Sequence, residues 1–196
     1  MSLTLRASDP AQYLADDALV QSDDVEVAAL AASLRARNPA DPAFAQAAFE
    51  WVRDRIAHSY DVQDPRVTLA ASEVLREGVG LCYAKSVLLA ALLRAEGIPA
   101  GLCYQRLGDD DGFVVHGLVA IWLDGAWHRQ DPRGNKADVD ARFSLGEERL
   151  AYRIDPSRGE RDYPELHSTV APEIVATLDE ATNILTTQLP ADLDER

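Results

Sequence analysis

The chain has 196 residues with an apolar fraction of 47%, which suffices for one domain with a full hydrophobic core. The 19 basic and 33 acidic residues give a formal charge of −14, which argues against nucleic acid or an anionic membrane as a partner. No apolar run approaches the ~20 residues of a membrane span, and residues 1–10 lack the features of a signal peptide, so the expected compartment is the cytoplasm.

The first part of the chain is predicted to be helical. Apolar residues at helical spacing predict a helix over residues 23–37, which Asn38-Pro39 stops. A second helix is predicted to begin at Asp41-Pro42, with Asp41 as its N-cap, and to run through Ile56.

The middle of the chain predicts a long central helix. We interpret residues 58–61 as a loop and residues 70–76 as a short helix that ends at Gly78. A longer helix is predicted from about Leu81 to Glu96, followed by Gly97 at a left-handed C-cap.

That central helix has a predicted buried face and two predicted surface residues. Four leucines at helical spacing predict the buried face, and they are Leu88, Leu89, Leu92 and Leu93. Lys85 and Arg94 are expected on the surface, because long charged side chains are rarely buried.

After the helix the period of the sequence changes to that of a sheet. Residues 101–107 predict one strand, residues 108–112 an exposed turn and residues 113–123 a second strand. Asp124-Gly125 is a strong signal for a two-residue hairpin, and residues 126–131 form the returning strand. Helices in front of an antiparallel sheet predict an α+β fold.

The last third of the chain has a weaker pattern. Residues 147–152 and residues 172–189 are interpreted as helical. We expect a single domain over residues 1–196, with a core at about 44–136 and helical additions at both ends.

Cys82 is the first residue with a predicted chemical role. It lies in the first turn of the predicted helix, where free N–H groups and the helix dipole stabilise a thiolate and can receive an oxyanion. The other cysteine, Cys103, is expected in the core of a strand. A structural disulfide is not expected in a cytoplasmic chain of this size.

The predicted hairpin places a histidine beside an aspartate. A two-residue turn at Asp124-Gly125 sets Leu118 opposite Asp131, and His116 projects from the same face as Leu118. His116 is therefore the diagonal neighbour of Asp131. A carboxylate on one ring nitrogen fixes the tautomer and leaves the other nitrogen to take a proton.

These motifs resemble the core of the transglutaminase-like superfamily. The resemblance rests on the run Gly80–Ser86 around Cys82, the Gly97-Ile98-Pro99 turn, His116 in Val-Val-His-Gly-Leu, and Asp131 in Trp-His-Arg-Gln-Asp-Pro. It covers about residues 44–136, and small bacterial transglutaminase-like proteins are the most similar in appearance.

The resemblance implies a papain-like fold whose nucleophile begins a central helix. It also implies a thiol enzyme with Cys82 as nucleophile, His116 as base and Asp131 as orienting group, acting on an amide or ester carbonyl through a thioester. Hydrolysis of a peptide or protein amide, as by a protease, peptidase or deamidase, is the leading expectation. Transfer of the acyl group to an amine acceptor, as by a transglutaminase, is the close variant.

Two alternatives of other classes stay open at this stage. The chain could be a binding or scaffold module that keeps the fold without chemistry, or an arylamine N-acetyltransferase-like acyltransferase. The sequence shows no basic patch for the phosphates of coenzyme A. It names no substrate, and it does not give the oligomeric state.

The sequence departs from the resemblance in two places. Gly117 and Leu118 follow the histidine, where many family members carry an aromatic residue. No side-chain donor for an oxyanion is evident, and Tyr60, Gln63 and His58 are the candidates.

No metal or other cofactor is expected. His128 falls on the opposite strand face from Asp131, His167 lies in a polar loop, and no short pair of zinc ligands occurs. Residues 109–111 lack the spacing of a calcium loop.

Three polar residues follow the aspartate. Arg133, Asn135 and Lys136 are interpreted as residues that could line the rim of the cleft, or that could belong to an ordinary loop.

Overall fold

The computed structural model describes residues 3–109 and 112–194. Its α-helices are α1 (Val25–Arg37), α2 (Asp41–Arg55), α3 (Ser59–Val62), α4 (Ala71–Glu77), α5 (Cys82–Ala95) and α6 (Pro172–Glu180). Its strands are β1 (Ala57–His58), β2 (Val79–Gly80), β3 (Ala100–Asp109), β4 (Gly112–Leu123), β5 (Ala126–Gln130) and β6 (Arg161–Asp162). Short 3₁₀-helices occupy Pro10–Leu14 and Pro156–Arg158.

Helix α5 lies at the centre of the fold. Its four leucines are fully buried, as the sequence predicts. Helices α1, α2 and α4 and strands β3 and β4 all pack against it. Because side chains on every face of α5 are covered, its long cationic residues have no direct route to solvent.

One antiparallel sheet carries the second half of the fold. Its strand order is β5-β4-β3-β6. The predicted α+β class, with helices packed on an antiparallel sheet, is confirmed. Within residues 3–109 and 112–194, no helix is long and apolar enough to cross a bilayer.

The hairpin between β4 and β5 has the predicted register. Asp124 and Gly125 both have positive φ, at 52° and 79°, which is the conformation of a two-residue type I′ turn. Leu123 pairs with Ala126, and the ladder continues to Val119 opposite Gln130. The next position places Asp131 beside Leu118.

The hairpin between β3 and β4 is tighter than the sequence suggested. Strand pairing continues to Asp109 opposite Gly112, beyond the predicted strand end at Leu107. Residues 110 and 111, the rest of the predicted turn, lie outside the described residues.

The predicted loop at residues 58–61 is wrong. Ala57 and His58 form β1, which pairs in parallel with Val79 and Gly80, and Ser59–Val62 is a helical turn. His58 is opposite Gly80, and it is therefore held close to the start of α5. A two-residue strand is too short for its period to be visible in the sequence.

The predicted N-cap of α2 is also wrong. Ala40 occupies the N-cap position without a side-chain hydrogen bond, so Asp41 and Pro42 are the first two helical residues. Asp41 still lies in the first turn, where its charge favours the helix dipole.

The end of the chain is less helical than predicted. Residues 147–152 form no helix, and α6 ends at Glu180 instead of residue 189. Beyond α6 the backbone bonds to distant elements, from Ile184 N to Pro65 O at 3.0 Å and from Val115 N to Pro190 O at 2.8 Å. These long-range hydrogen bonds replace the helical ones.

The predicted surface positions of Lys85 and Arg94 are wrong, because both side chains are buried. Arg94 donates to the carbonyl oxygens of Ala100, Ala15 and Ser168, at distances between 2.5 and 2.9 Å. These hydrogen bonds compensate for the lost hydration of its guanidinium group.

Lys85 also donates to backbone carbonyl oxygens, at the end of α2. It is 0% exposed, and its Nζ donates to the carbonyl oxygen of Ile56 and, at 3.2 Å, to that of Arg53. Burial, and next the positive charge of Arg133, lower the pKa of Lys85 to about 7.

Replacing Lys85 by Met should therefore expose a pH-dependent term in stability. Charged Lys85 costs folding free energy below pH 7, and this cost disappears as the pH rises toward 10.5, its value in a model peptide. Between pH 7 and 10.5, the free energy of unfolding of wild type should therefore rise relative to that of Lys85→Met by about 1.4 kcal/mol per pH unit. Urea unfolding at several pH values measures this gap, and a gap independent of pH would contradict the burial of a titrating amine.

Candidate active site

The site begins with Cys82, the first residue of α5. The N-cap Leu81 supplies no side-chain hydrogen bond, so the N–H groups of the first turn remain available to a ligand. The residue is 7% exposed, and its Sγ accepts a hydrogen bond from Gly117 N at 3.4 Å. The thiol therefore lies between the start of a helix and the side of β4.

His116 and Asp131 are in contact, as the hairpin register predicts. His116 Nε2 lies 2.8 Å from Asp131 Oδ2. Asp131 is fully buried, and it also accepts from Arg133 N at 3.1 Å and from Ala151 N at 3.0 Å. Burial alone would raise the pKa of this carboxyl group, but the His116 charge and the three donors together lower it.

The imidazole of His116 contacts the carboxylate and lies near the thiol. Its Nε2 is engaged by Asp131, and Cys82 is close enough to interact electrostatically with the ring. Nδ1 is therefore the nitrogen available to the sulfur. Burial opposes protonation, but the negative charge of Asp131 and the interaction with Cys82 outweigh it and raise the pKa of His116 to about 10.

Because the pKa of His116 is raised in the folded protein, its positive charge stabilises the folded state. This contribution to the free energy of unfolding is fully present below pH 6.5 and is lost as the pH rises through about 10. At neutral pH the ring is an imidazolium held between two partners.

Two residues of a segment that was predicted to be helical lie against the site. The ring of Tyr152 meets His116 edge-on, with 5.2 Å between ring centroids. The preceding residue, Ala151, donates its N–H to Asp131. Residues 147–152, predicted as helix, form no regular structure, and no local pattern in the sequence signals that Ala151 and Tyr152 contact the site.

An open cavity of about 410 Å³ gives access to the thiol and the imidazole. Arg133 is one of the residues that line it, as predicted, and its guanidinium group pairs with both oxygens of Asp61 at 2.7 and 2.9 Å. Asn135 and Lys136 do not line this cavity. Asn135 bonds to the backbone of Ala141, and Lys136 lies 3.4 Å from Asp61.

Two of the three candidate oxyanion donors line the cavity, and the third does not. His58 and Tyr60 both line the cavity. The amide of Gln63 turns back to Tyr60 O at 2.7 Å. His58 Nδ1 is buried without a hydrogen-bond partner in the described part of the chain. Burial, and then the charge of Arg133, lower the pKa of His58 to about 3, so its ring is neutral.

Gly117 allows β4 to approach the first turn of α5. A Cβ atom at this position would lie 2.9 Å from Tyr83 Cδ1 and 3.2 Å from the Tyr83 backbone. The Tyr83 hydroxyl also donates to Val115 O. Tyr83 therefore fills the space beside the strand, which explains why an aromatic residue does not follow the histidine here.

The remaining candidate residues lie away from the thiol. His128 Nε2 is 3.2 Å from Leu123 O, and His167 pairs with Leu102 at the opposite edge of β3. Cys103 is fully buried, and burial raises the pKa of its thiol to about 12. Among the described residues, no three His, Cys, Asp or Glu side chains are grouped to hold a metal ion.

Comparisons with known proteins point to one family. The family model of the transglutaminase-like superfamily matches residues 28–132, more than half of the chain. No curated protein sequence matches the chain.

Solved structures share part of the fold. A candidate cysteine protease from Cytophaga hutchinsonii aligns with a TM-score of 0.52 and 19% identity, over 66% of this chain and 45% of that protein. The periplasmic domain of TgpA from Pseudomonas aeruginosa aligns with a TM-score of 0.49 and 22% identity, over 64% of this chain and 48% of that one. A protein described as a TGase aligns with a TM-score of 0.46 and 18% identity, over 65% of this chain and 35% of that one.

This chain thus spans less than half the length of each of these three proteins. The first of them shows a shared fold and no more, because its identity is low. The family match covers the segment that contains Cys82, His116 and Asp131. The chain therefore belongs to the transglutaminase-like superfamily.

Proposed function

We propose that this chain is a thiol hydrolase that cleaves an amide or ester carbonyl through a thioester on Cys82. One observation supports this most strongly, namely the buried pair of His116 and Asp131 beside the Cys82 thiol. The thiol and the imidazole open into a cavity large enough for part of a substrate. A purely structural cysteine would need neither the imidazolium nor the cavity.

The proposed chemistry depends on which groups donate and accept protons. Cys82 as thiolate attacks the carbonyl carbon, and His116 donates its proton to the leaving amine or alcohol. The neutral imidazole then takes a proton from water, whose oxygen attacks the thioester, releasing the carboxylic acid and restoring the thiolate and the imidazolium. Asp131 orients the ring through Nε2 and stabilises its charged form.

The tetrahedral intermediate needs donors for its oxyanion. In the proposal the backbone N–H groups at the start of α5 and the neutral ring of His58 supply them. His58 fits this role because its ring lines the cavity and is uncharged. A neutral imidazole carries one N–H and can donate it without adding a competing charge.

Water is the proposed acceptor, and a peptide or protein amide is the proposed substrate class. Water needs no second binding site, whereas transglutaminase-type transfer needs a site for an amine. An amine product formed in competition with hydrolysis would reassign the acceptor without changing the residues involved.

The cytoplasm is the proposed compartment. Both cysteines are free, and a thiol nucleophile is maintained by reducing conditions. Recovery of the protein from a periplasmic or secreted fraction of the source cells would contradict this assignment.

Alkylation by iodoacetamide tests the proposed thiolate. Cys82 should react rapidly at pH 6, well below the ~8.5 at which an ordinary thiol is half ionised. His116→Ala should slow labelling at pH 6 by on the order of tenfold or more and shift the profile toward that of an ordinary thiol.

Cys103→Ala is the matched control, and it should label like wild type because Cys103 is fully buried. If Cys82 behaves as an ordinary thiol that is indifferent to His116, the proposal fails and a non-catalytic binding module becomes the better interpretation.

Turnover of p-nitrophenyl acetate tests the role of His58. His58→Ala should lower kcat by roughly 10²–10³-fold, the usual cost of one oxyanion donor, while alkylation of Cys82 stays unchanged. His58→Gln should recover part of the rate because its amide keeps an N–H donor. Gln63→Ala should resemble wild type, since its amide bonds to Tyr60 O. Equal rates for His58→Ala and wild type would remove His58 from the mechanism.

A further inference from the structure

The cavity that holds Cys82 and His116 has an apolar wall. Leu107 and Val114 face each other in the register of β3 and β4. Val114 lies two residues before His116, so both side chains project from the same face of the sheet as the imidazole. The surface next to the proposed reaction centre is therefore aliphatic.

The C-terminal segment completes this wall. Leu189 lines the same cavity, and its neighbour Pro190 accepts a hydrogen bond from Val115 N at 2.8 Å. This bond holds Leu189 one residue along β4 from His116. Leu189 lies outside residues 28–132, so the family match does not supply this part of the wall.

Two further residues of the cavity lining are also apolar or aromatic. They are Leu81 and Tyr60, and Tyr60 is 37% exposed. An exposed aromatic ring at the edge of an aliphatic cavity is typical of a surface that a ligand covers.

Two of the charged groups that line the cavity are engaged within the protein. Asp61 holds the guanidinium group of Arg133. Glu160 accepts hydrogen bonds from Gly108 N at 3.0 Å and from Asp155 N at 2.7 Å. Asp109 and Arg153 also line the cavity, and the side chain of Arg153 is 83% exposed, so the aliphatic residues are the uncharged part of the surface open to a substrate.

We propose that Leu107, Val114 and Leu189 form an acyl subsite, which selects substrates whose carbonyl carries a medium-sized apolar group. This inference rests on the proposed function, because it assigns the acyl side of the same thioester. A cavity of about 410 Å³ accommodates a group of several carbons, and burying each methylene favours the larger acyl group.

The probe reaction is simple and balanced. The Cys82 sulfur forms a bond to the acyl carbon of a p-nitrophenyl ester, and the carbon–oxygen bond to p-nitrophenolate breaks. Water then adds to the thioester, which releases the carboxylic acid and restores the thiol.

Wild-type kcat/KM should rise with acyl chain length. The butyrate ester should exceed the acetate ester by on the order of tenfold, the ratio expected for burial of two further methylenes. A ratio near one with normal acetate turnover would overturn the subsite and leave the proposed function intact. No turnover of either ester would overturn the proposed function, and the subsite with it.

Two variants test the location of the subsite. Leu189→Ala should lower the ratio of kcat/KM for butyrate to kcat/KM for acetate by about threefold or more. Val114→Phe should fill the subsite, so that butyrate turnover falls much further than acetate turnover. If circular dichroism shows that Leu189→Ala is unfolded, Val114→Phe alone tests the location of the subsite.

Val62→Ala is the matched control. Val62 belongs to α3, like Tyr60, but it is 55% exposed and does not line the cavity, so the ratio should equal that of wild type. If Val114→Phe lowers both esters equally, the apolar wall does not select the acyl group.

Discussion

The fold depends on the place where β5 leaves β4. The register would set Pro132 opposite Gly117, and a proline has no N–H to donate to the Gly117 carbonyl, so the ladder ends there. The Gly117 N–H donates to the thiol of Cys82, and the Tyr83 hydroxyl donates to Val115 O. The start of α5 is thus joined to the part of β4 that no longer has β5 beside it. Gly117 makes the approach possible, because any Cβ atom there would overlap Tyr83.

Charged groups of the site and of α5 are buried, and neighbouring groups of the protein bind them. Asp131 keeps its negative charge because His116 and two backbone N–H groups contact it. Lys85 and Arg94 on α5 donate to carbonyl oxygens at the ends of other elements, but burial still lowers the pKa of each. The same helix that presents Cys82 therefore also ties the surrounding elements together.

Local signals in the sequence predicted the central contact correctly. The Asp124-Gly125 turn and the period of two were enough to place His116 beside Asp131, because both residues belong to one hairpin. Features that depend on distant parts of the chain were not predictable in this way. Residues 147–152 lack regular structure, so no period reveals that they cover His116. The burial of Lys85 follows from packing on every side of α5, which a single helix pattern cannot show.

The most direct test of the account is to identify the acylated residue. After brief reaction with p-nitrophenyl acetate at low pH, which slows deacylation, peptide mapping by mass spectrometry should find one acetyl group on the peptide that contains Cys82. His116→Ala should abolish that adduct in the same time, since attack requires the thiolate that His116 sustains. Acetylation of Lys85, of Cys103 or of no residue at all would contradict the claim that Cys82 is the nucleophile.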